Sequence, residues 1–142
     1  MNITQLAEFA TNNFWLVLAF LVTLALLIRS WTSDFGDKFS VGPTQATALI
    51  NHDNAVVLDV RPQTDFDNGH IINAIATPMA QFSKQIDKLG KHKKKPIIIS
   101  CRSGAQSQQA CKQLRKAGFD PVYNLRGGIL AWQNANLPVS KK

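Results

Sequence analysis

Only two cysteines, Cys101 and Cys111, occur in the 142 residues, too few for a secreted disulfide framework. If the chain is helical from Gln106 on, Cys111 lies more than a turn along that helix, where a bond to Cys101 would break it. Cys111 is therefore expected in the core. Long low-complexity stretches are absent, and a hydrophobic content of 45% supports a real core in one ordinary domain. No cluster of metal-ligand residues stands out, and the lone Gly127-Gly128 pair is not a nucleotide loop. Neither a metal nor an organic cofactor is implied. Residues 1–13 lack lysine and arginine, and Ile28-Arg29-Ser30-Trp31 is a poor cleavage site, which argues against a cleaved signal peptide. Acidic residues are also few, and the formal net charge of +7 suits nucleic acid, an anionic membrane surface or an anionic small molecule. Six lysines fall within residues 84–95, among them Lys91 and Lys93-Lys94-Lys95, but without interleaved aromatics or a nucleic-acid motif. A solvated loop is the plain reading there, contact of Lys91–Lys95 with anionic lipid headgroups the next, and no nucleic-acid partner is expected.

What the chain does have is, first, a run without charge from Phe9 to Ile28, almost wholly apolar from Phe14 on. Crossing about 30 Å of hydrocarbon takes roughly 20 helical residues, so this run reads as an uncleaved single-pass transmembrane helix. Asn12 and Asn13 lie near one interface, with Trp15 and Trp31 as interfacial aromatics. Arg29 and Lys38 follow the run, whereas only Glu8 is charged before it. That bias puts the rest of the chain on the cytoplasmic face of the cell inner membrane, a reducing compartment. Residues 1–31 thus form the membrane segment, 32–38 a short polar linker, 39–138 a domain and 139–142 a basic tail.

Second, Pro96-Ile97-Ile98-Ile99-Ser100 is a β-branched apolar run of the kind buried on both faces of a sheet. Cys101 ends it. Arg102, Ser103, Gly104 and Ala105 then form a small-residue loop, and Gln106-Ser107-Gln108-Gln109-Ala110 opens a helix. Strand, tight loop and helix N-terminus gather backbone N–H groups around the loop centre. A cysteine there should have a lowered pKa, helped by Arg102, and be reactive rather than structural.

This segment resembles the active-site loop of the rhodanese family, which carries sulfane sulfur as a cysteine persulfide. The resemblance extends to Asp59-Val60-Arg61, to Phe66-x-x-Gly69-His70-Ile71-x-x-Ala74 before a proline, and to Leu125-x-Gly127-Gly128-x-x-Ala131-Trp132. It covers about residues 39–138. Family members often have arginine five residues after the cysteine, and here that position is Gln106, so anionic donors such as thiosulfate should bind weakly. Related phosphatases have arginine six residues after it, where this chain has Ser107, which argues against phosphatase chemistry. Asn73 replaces a common family glycine. In the family's pattern Asp59, Arg61 and His70 are parts of a polar scaffold beside the loop, with His70 a buried hydrogen-bonding residue rather than a general base. Gly127 and Gly128 sit next to the loop and let backbones approach closely.

Strands alternate with helices along the chain, which implies an α/β domain with a central parallel sheet covered on both faces. The expected elements are a strand at 39–41, a helix at 43–51, a strand at 55–59, a short helix or turn at 62–67, a short strand before Pro78, a helix at 81–89 ended by Gly90, the strand before Cys101, a helix at 106–117, a strand at 121–125 and a last helix through Trp132. Two functions fit. One is a sulfurtransferase in which Cys101 takes sulfur from a small donor and passes it to a thiol or cyanide, the amides from Arg102 to Gln106 stabilising the persulfide. The other is a membrane-tethered binding module that presents the fold to a membrane-protein partner.

Overall fold

Ile97–Ser100 forms strand β5, and its alternation decides the rest of the domain. Ile97 and Ile99 point to one face of the sheet and Ile98 to the other, and all three are buried. A strand apolar on both faces is stable only in the middle of a covered sheet. The computed structural model, which describes residues 2–33 and 38–142, places it there. β1 (Ser40–Val41), β2 (Val56–Asp59), β4 (Ile75–Ala76), β5 and β6 (Val122–Leu125) form a parallel sheet in the order β1-β6-β5-β2-β4. The register pairs Asp59 with Ser100 and Ile99 with Asn124, so both neighbours end beside Cys101.

Helices cover both faces. On one, α5 (Phe82–Gln85) and α6 (Ala105–Lys116) enclose Leu58, Phe82, Leu89, Ile97, Ile99, Cys111 and Leu114. On the other, α3 (Pro43–Asp53) and α7 (Gly128–Asn134) close over Val57, Ile98, Leu125, Ile129 and Trp132. Cys111 is buried in the first cluster, as expected. Pro43 opens α3 at its first turn, where the missing N–H costs nothing.

Two stretches of the domain differ from the sequence expectation. The helix expected at 81–89 is α-helical only over Phe82–Gln85, between 3-10 turns at Met79–Gln81 and Asp87–His92. Phe82 and Leu89 are buried all the same, and Gly90 lies inside the second turn rather than ending a helix. A 3-10 turn brings residues into line at every third position, so the inward side chains survive the change of winding. Val139–Ser140, expected in the tail, form β7 and pair antiparallel with β3 (His70–Ile71). α4 (Gln63–Asp67) precedes that pair, and the Lys142 amide bonds the Asp67 carbonyl. Lys91, Lys93, Lys94 and Lys95 are exposed, and the Lys93 ammonium lies 5.5 Å from the centre of the Phe119 ring.

The residues up to Asp37 form a separate unit. The continuous helix expected over Phe9–Ile28 is interrupted. α1 (Ile3–Asn12) ends and α2 (Phe14–Ser33) begins at Asn13, with a bend of 93° between Ile3–Asn12 and Phe14–Ser30. Asn13 explains the break. Its amide and its side-chain Nδ2 both donate to the Phe9 carbonyl, while its own carbonyl accepts from Leu16 and Val17, so it closes one helix and opens the next. Among the described residues no single helix is long and apolar enough to cross a membrane; the bent pair meets that requirement together, by length and composition. Residues 34–37 of the expected linker and the Trp31 side chain lie outside the described residues.

Candidate active site

Cys101 follows β5 directly, and only 1% of its surface is exposed. The loop after it turns through Gly104, whose φ of +98° is left-handed and leads into α6. That turn aims the Gly104 amide at the cysteine, with N to Sγ at 3.0 Å. One helical turn later the Ser107 hydroxyl stands 3.4 Å from Sγ. Ser107 Oγ is also within hydrogen-bonding distance of the Gly104 carbonyl, at 3.0 Å, and of Asn124 Oδ1 on β6. Asn124 Nδ2 in turn donates to the Gly104 carbonyl at 3.2 Å. A hydroxyl has one proton, so Ser107 serves one acceptor at a time. With a neutral thiol, S–H can donate to Ser107 Oγ and Ser107 to Asn124. With a thiolate, the Ser107 proton can turn to sulfur.

Burial alone pushes the Cys101 thiol up, because a thiolate loses solvation. The Ser107 hydroxyl and the amides of Ser107, Gly104 and Ser103 stabilise the anion and outweigh burial, so the thiol lies below its ordinary value. Arg102, expected to contribute its charge, is exposed and is not among the groups that set this value. The lowering comes from fixed dipoles. Ser107→Ala is therefore expected to raise the midpoint of Cys101 alkylation by iodoacetamide, slowing the reaction at neutral pH while leaving the high-pH plateau unchanged. An unmoved midpoint would show that the amides suffice.

The structure brings Asp59 and Arg61 to the neighbouring strand end. Arg61 Nε lies 3.0 Å from both Asp59 oxygens, and its Nη2 lies 2.7 Å from Oδ2 and from the Gly69 carbonyl. Both residues are buried, so the pair holds the end of β2 to the turn before β3. His70 stacks on Phe66 with ring centres 3.8 Å apart, and its Nδ1 lies 2.8 Å from the Phe66 carbonyl. A carbonyl only accepts, so Nδ1 carries the proton. This is a buried, hydrogen-bonded histidine at the turn from α4 into β3.

Gly127 and Gly128 occupy left-handed conformations at the start of α7, with φ of +74° and +58°. A Cβ on Gly128 would lie 2.7 Å from the carbonyl carbon and oxygen of Arg102 and would overlap the Cys101 carbonyl. This close approach lets the amides of Ile129 and Leu130 bond the carbonyls of Cys101 and Arg102 at 2.8 and 3.3 Å. Ser103, Ala105 and Gln106 complete the loop's outer side and are exposed, so the position usually held by arginine opens to solvent as a neutral amide.

Beside the loop lies a cavity of about 230 Å³ lined by residues that include Arg61, Asp65, Asn68, Arg102, Leu130 and Gln133. It joins the polar scaffold to the cysteine loop through Arg61 and Arg102. His70 is not among its walls. Sequence reasoning assigned no role to Ser107 or Asn124. Ser107 stood in the helix-opening segment Gln106-Ser107-Gln108-Gln109-Ala110, and the signal for Asn124 was a lone amide in the otherwise apolar strand Val-Tyr-Asn-Leu.

Residues 42–135 match the protein family described as "Rhodanese-like domain". The chain is 34% identical over 137 residues to the uncharacterized protein YibN of Escherichia coli K12, covering 95% of this chain and 96% of that one. It is 34% identical over 96 residues to the thiosulfate sulfurtransferase GlpE of Coxiella burnetii, covering 68% of this chain and 87% of the relative. The crystal structure of a rhodanese-related protein from Thermoplasma volcanium superposes with a TM-score of 0.66 at 25% identity, covering 72% of this chain and 98% of that one.

Proposed function

Because the chain belongs to the rhodanese-like domain family, we propose that it is a sulfurtransferase that carries sulfane sulfur on Cys101 as a persulfide. The observation that carries this reading is the convergence of the Gly104 amide and the Ser107 hydroxyl on one buried sulfur at a strand end. The Cys101 thiolate attacks the outer sulfur of a donor, and the donor's S–S or S–sulfonate bond breaks. Its electron pair leaves on thiolate or on sulfite. The new Cys101 persulfide anion sits among the same amides, which stabilise its charge as an oxyanion hole would. An acceptor thiolate or cyanide then takes the terminal sulfur and restores Cys101. Intact mass after incubation with thiosulfate, and separately with a low-molecular-weight persulfide, tests the reading. The expected result is a gain of one sulfur, about 32 Da, that dithiothreitol removes. No gain from either donor would leave the fold as a binding module.

The reading extends to the N-terminal unit. Large apolar side chains of α2, among them Leu16, Phe20, Leu26 and Leu27, are exposed, and they fit a lipid environment. The likeness to YibN covers 95% of the chain and so includes most of this unit. Here α1 and α2 hold the protein in the inner membrane, with the rhodanese domain in the cytoplasm and its lysines facing anionic headgroups. The protein is expected to resist extraction by carbonate, and its domain to survive protease added to intact spheroplasts. Release by carbonate would overturn the anchor, and digestion in spheroplasts the orientation.

A further inference from the structure

Three charged side chains line the cavity beside the Cys101 loop: Arg61, Arg102 and Asp65. Arg61 is engaged by Asp59 and the Gly69 carbonyl. Arg102 and Asp65 are not paired with each other, since the ion pair found among the described residues is Arg61–Asp59. One cation and one anion therefore face the same cavity without contact. Asp65 is held in the first turn of α4, where its amide bonds the Pro62 carbonyl at 3.0 Å. Arg102 directly follows Cys101 in the chain, so the cavity wall includes the residue next to the one that bears the sulfur. Asn68 and Gln133 add neutral hydrogen-bonding groups, and Leu130, 45% exposed, offers an apolar surface.

Such a lining has a definite preference. An inorganic dianion gains from Arg102 but is repelled by Asp65, and Gln106 supplies no second cation. A ligand with a carboxylate and an ammonium satisfies both charges, and its methylene carbon can rest on Leu130. We propose that the cavity seats a zwitterionic amino-acid persulfide, with carboxylate on Arg102 and ammonium on Asp65, and that Asp65 selects this donor over thiosulfate. The proposal rests on reading Cys101 as the sulfur carrier. In the transfer the Cys101 thiolate bonds the outer sulfur of the donor R–S–SH, whose S–S bond breaks. The electron pair leaves on R–S⁻, and the outer sulfur keeps its proton until solvent takes it. One thiolate and one persulfide enter, and one of each leaves, so no external oxidant or reductant is needed.

The test measures rates of sulfur loading on the full chain by intact mass, using cysteine persulfide, N-acetylcysteine persulfide and thiosulfate. Wild type should load from cysteine persulfide faster than from the N-acetyl form, which lacks the ammonium. In Asp65→Asn that difference should vanish, and loading from thiosulfate should rise by up to about fivefold, the range of a solvent-exposed charge pair. The two persulfides are compared within one protein, and a general loss of folding would lower the thiosulfate rate rather than raise it, so misfolding cannot imitate the expected result. Equal rates for the two persulfides in wild type, or a change in Asp65→Asn common to all three donors, would overturn the proposal alone. Failure of wild type to load from any donor would overturn the sulfurtransferase reading and this proposal with it.

Discussion

Cys101→Ser is expected to abolish the gain of about 32 Da completely, whereas Cys111→Ser should retain it. The two cysteines are equally buried, so exposure does not separate them. Their surroundings do. Cys101 Sγ receives the Gly104 amide and stands beside the Ser107 hydroxyl, at the end of a strand whose following residue, Arg102, borders the cavity. Both cysteines border the apolar cluster of Ile99, Leu114 and Val122, but Cys111 lies in the interior of α6 rather than in the loop that carries the Gly104 amide. A hydroxyl at that second position costs about 1–3 kcal/mol of stability through burial of a polar group, and the domain should still fold. Equal loss of the adduct in both variants would contradict the assignment of Cys111 to the core.

Gly128→Ala should be the most damaging single methyl addition in the domain. Two penalties add. A left-handed φ of +58° costs an L-residue about 1–2 kcal/mol, and overpacking against fixed backbone adds about 1–3 kcal/mol. Unlike a flexible side chain, the Cys101 and Arg102 carbonyls cannot move aside without losing the bonds from Ile129 and Leu130. A loss of about 3 kcal/mol corresponds to a fall in Tm of roughly 15 °C for a domain near 100 residues. Sulfur loading should fall too, because the loop that holds Cys101 is what has to shift. Gly90→Ala is the control: no atom lies within 4 Å of its Cβ position, and Tm should barely change. A Gly128→Ala protein with unchanged Tm and full loading would show that the loop and α7 do not need this close approach.

Much of the domain was legible because its signals are local. Three β-branched residues before a cysteine specify a central strand, since no other environment buries both faces. Ala110, Cys111 and Leu114 recur at helical spacing, and Gly118, at φ +89°, follows the helix they belong to. The break at Asn13 was harder to foresee. An asparagine beside a long apolar run is compatible with an unbroken helix, and only its bonds to Phe9, Leu16 and Val17 together make it a cap for both neighbours. The winding of residues 79–92 was hidden for a related reason, because α and 3-10 turns can bury the same side chains.

By itself the sequence determined that a cysteine ends a buried strand and faces a helix N-terminus, because strand, loop and helix are short-range events set by β-branching, small residues and glycine. It also determined the charge at each position around that cysteine, including the neutral Gln106. Only the tertiary structure decided what meets at the sulfur and in the cavity. Asn124 reaches the loop because β6 is in register with β5, Arg61 is tied up by Asp59, and Asp65 of α4 is brought to the same cavity as Arg102 of the loop. It also returned Val139–Ser140 to pair with His70–Ile71, far away in the chain. Such partners are chosen by packing around a shared sheet. Hydrogen bonds and charges act over a few ångströms in space, however many residues lie between them.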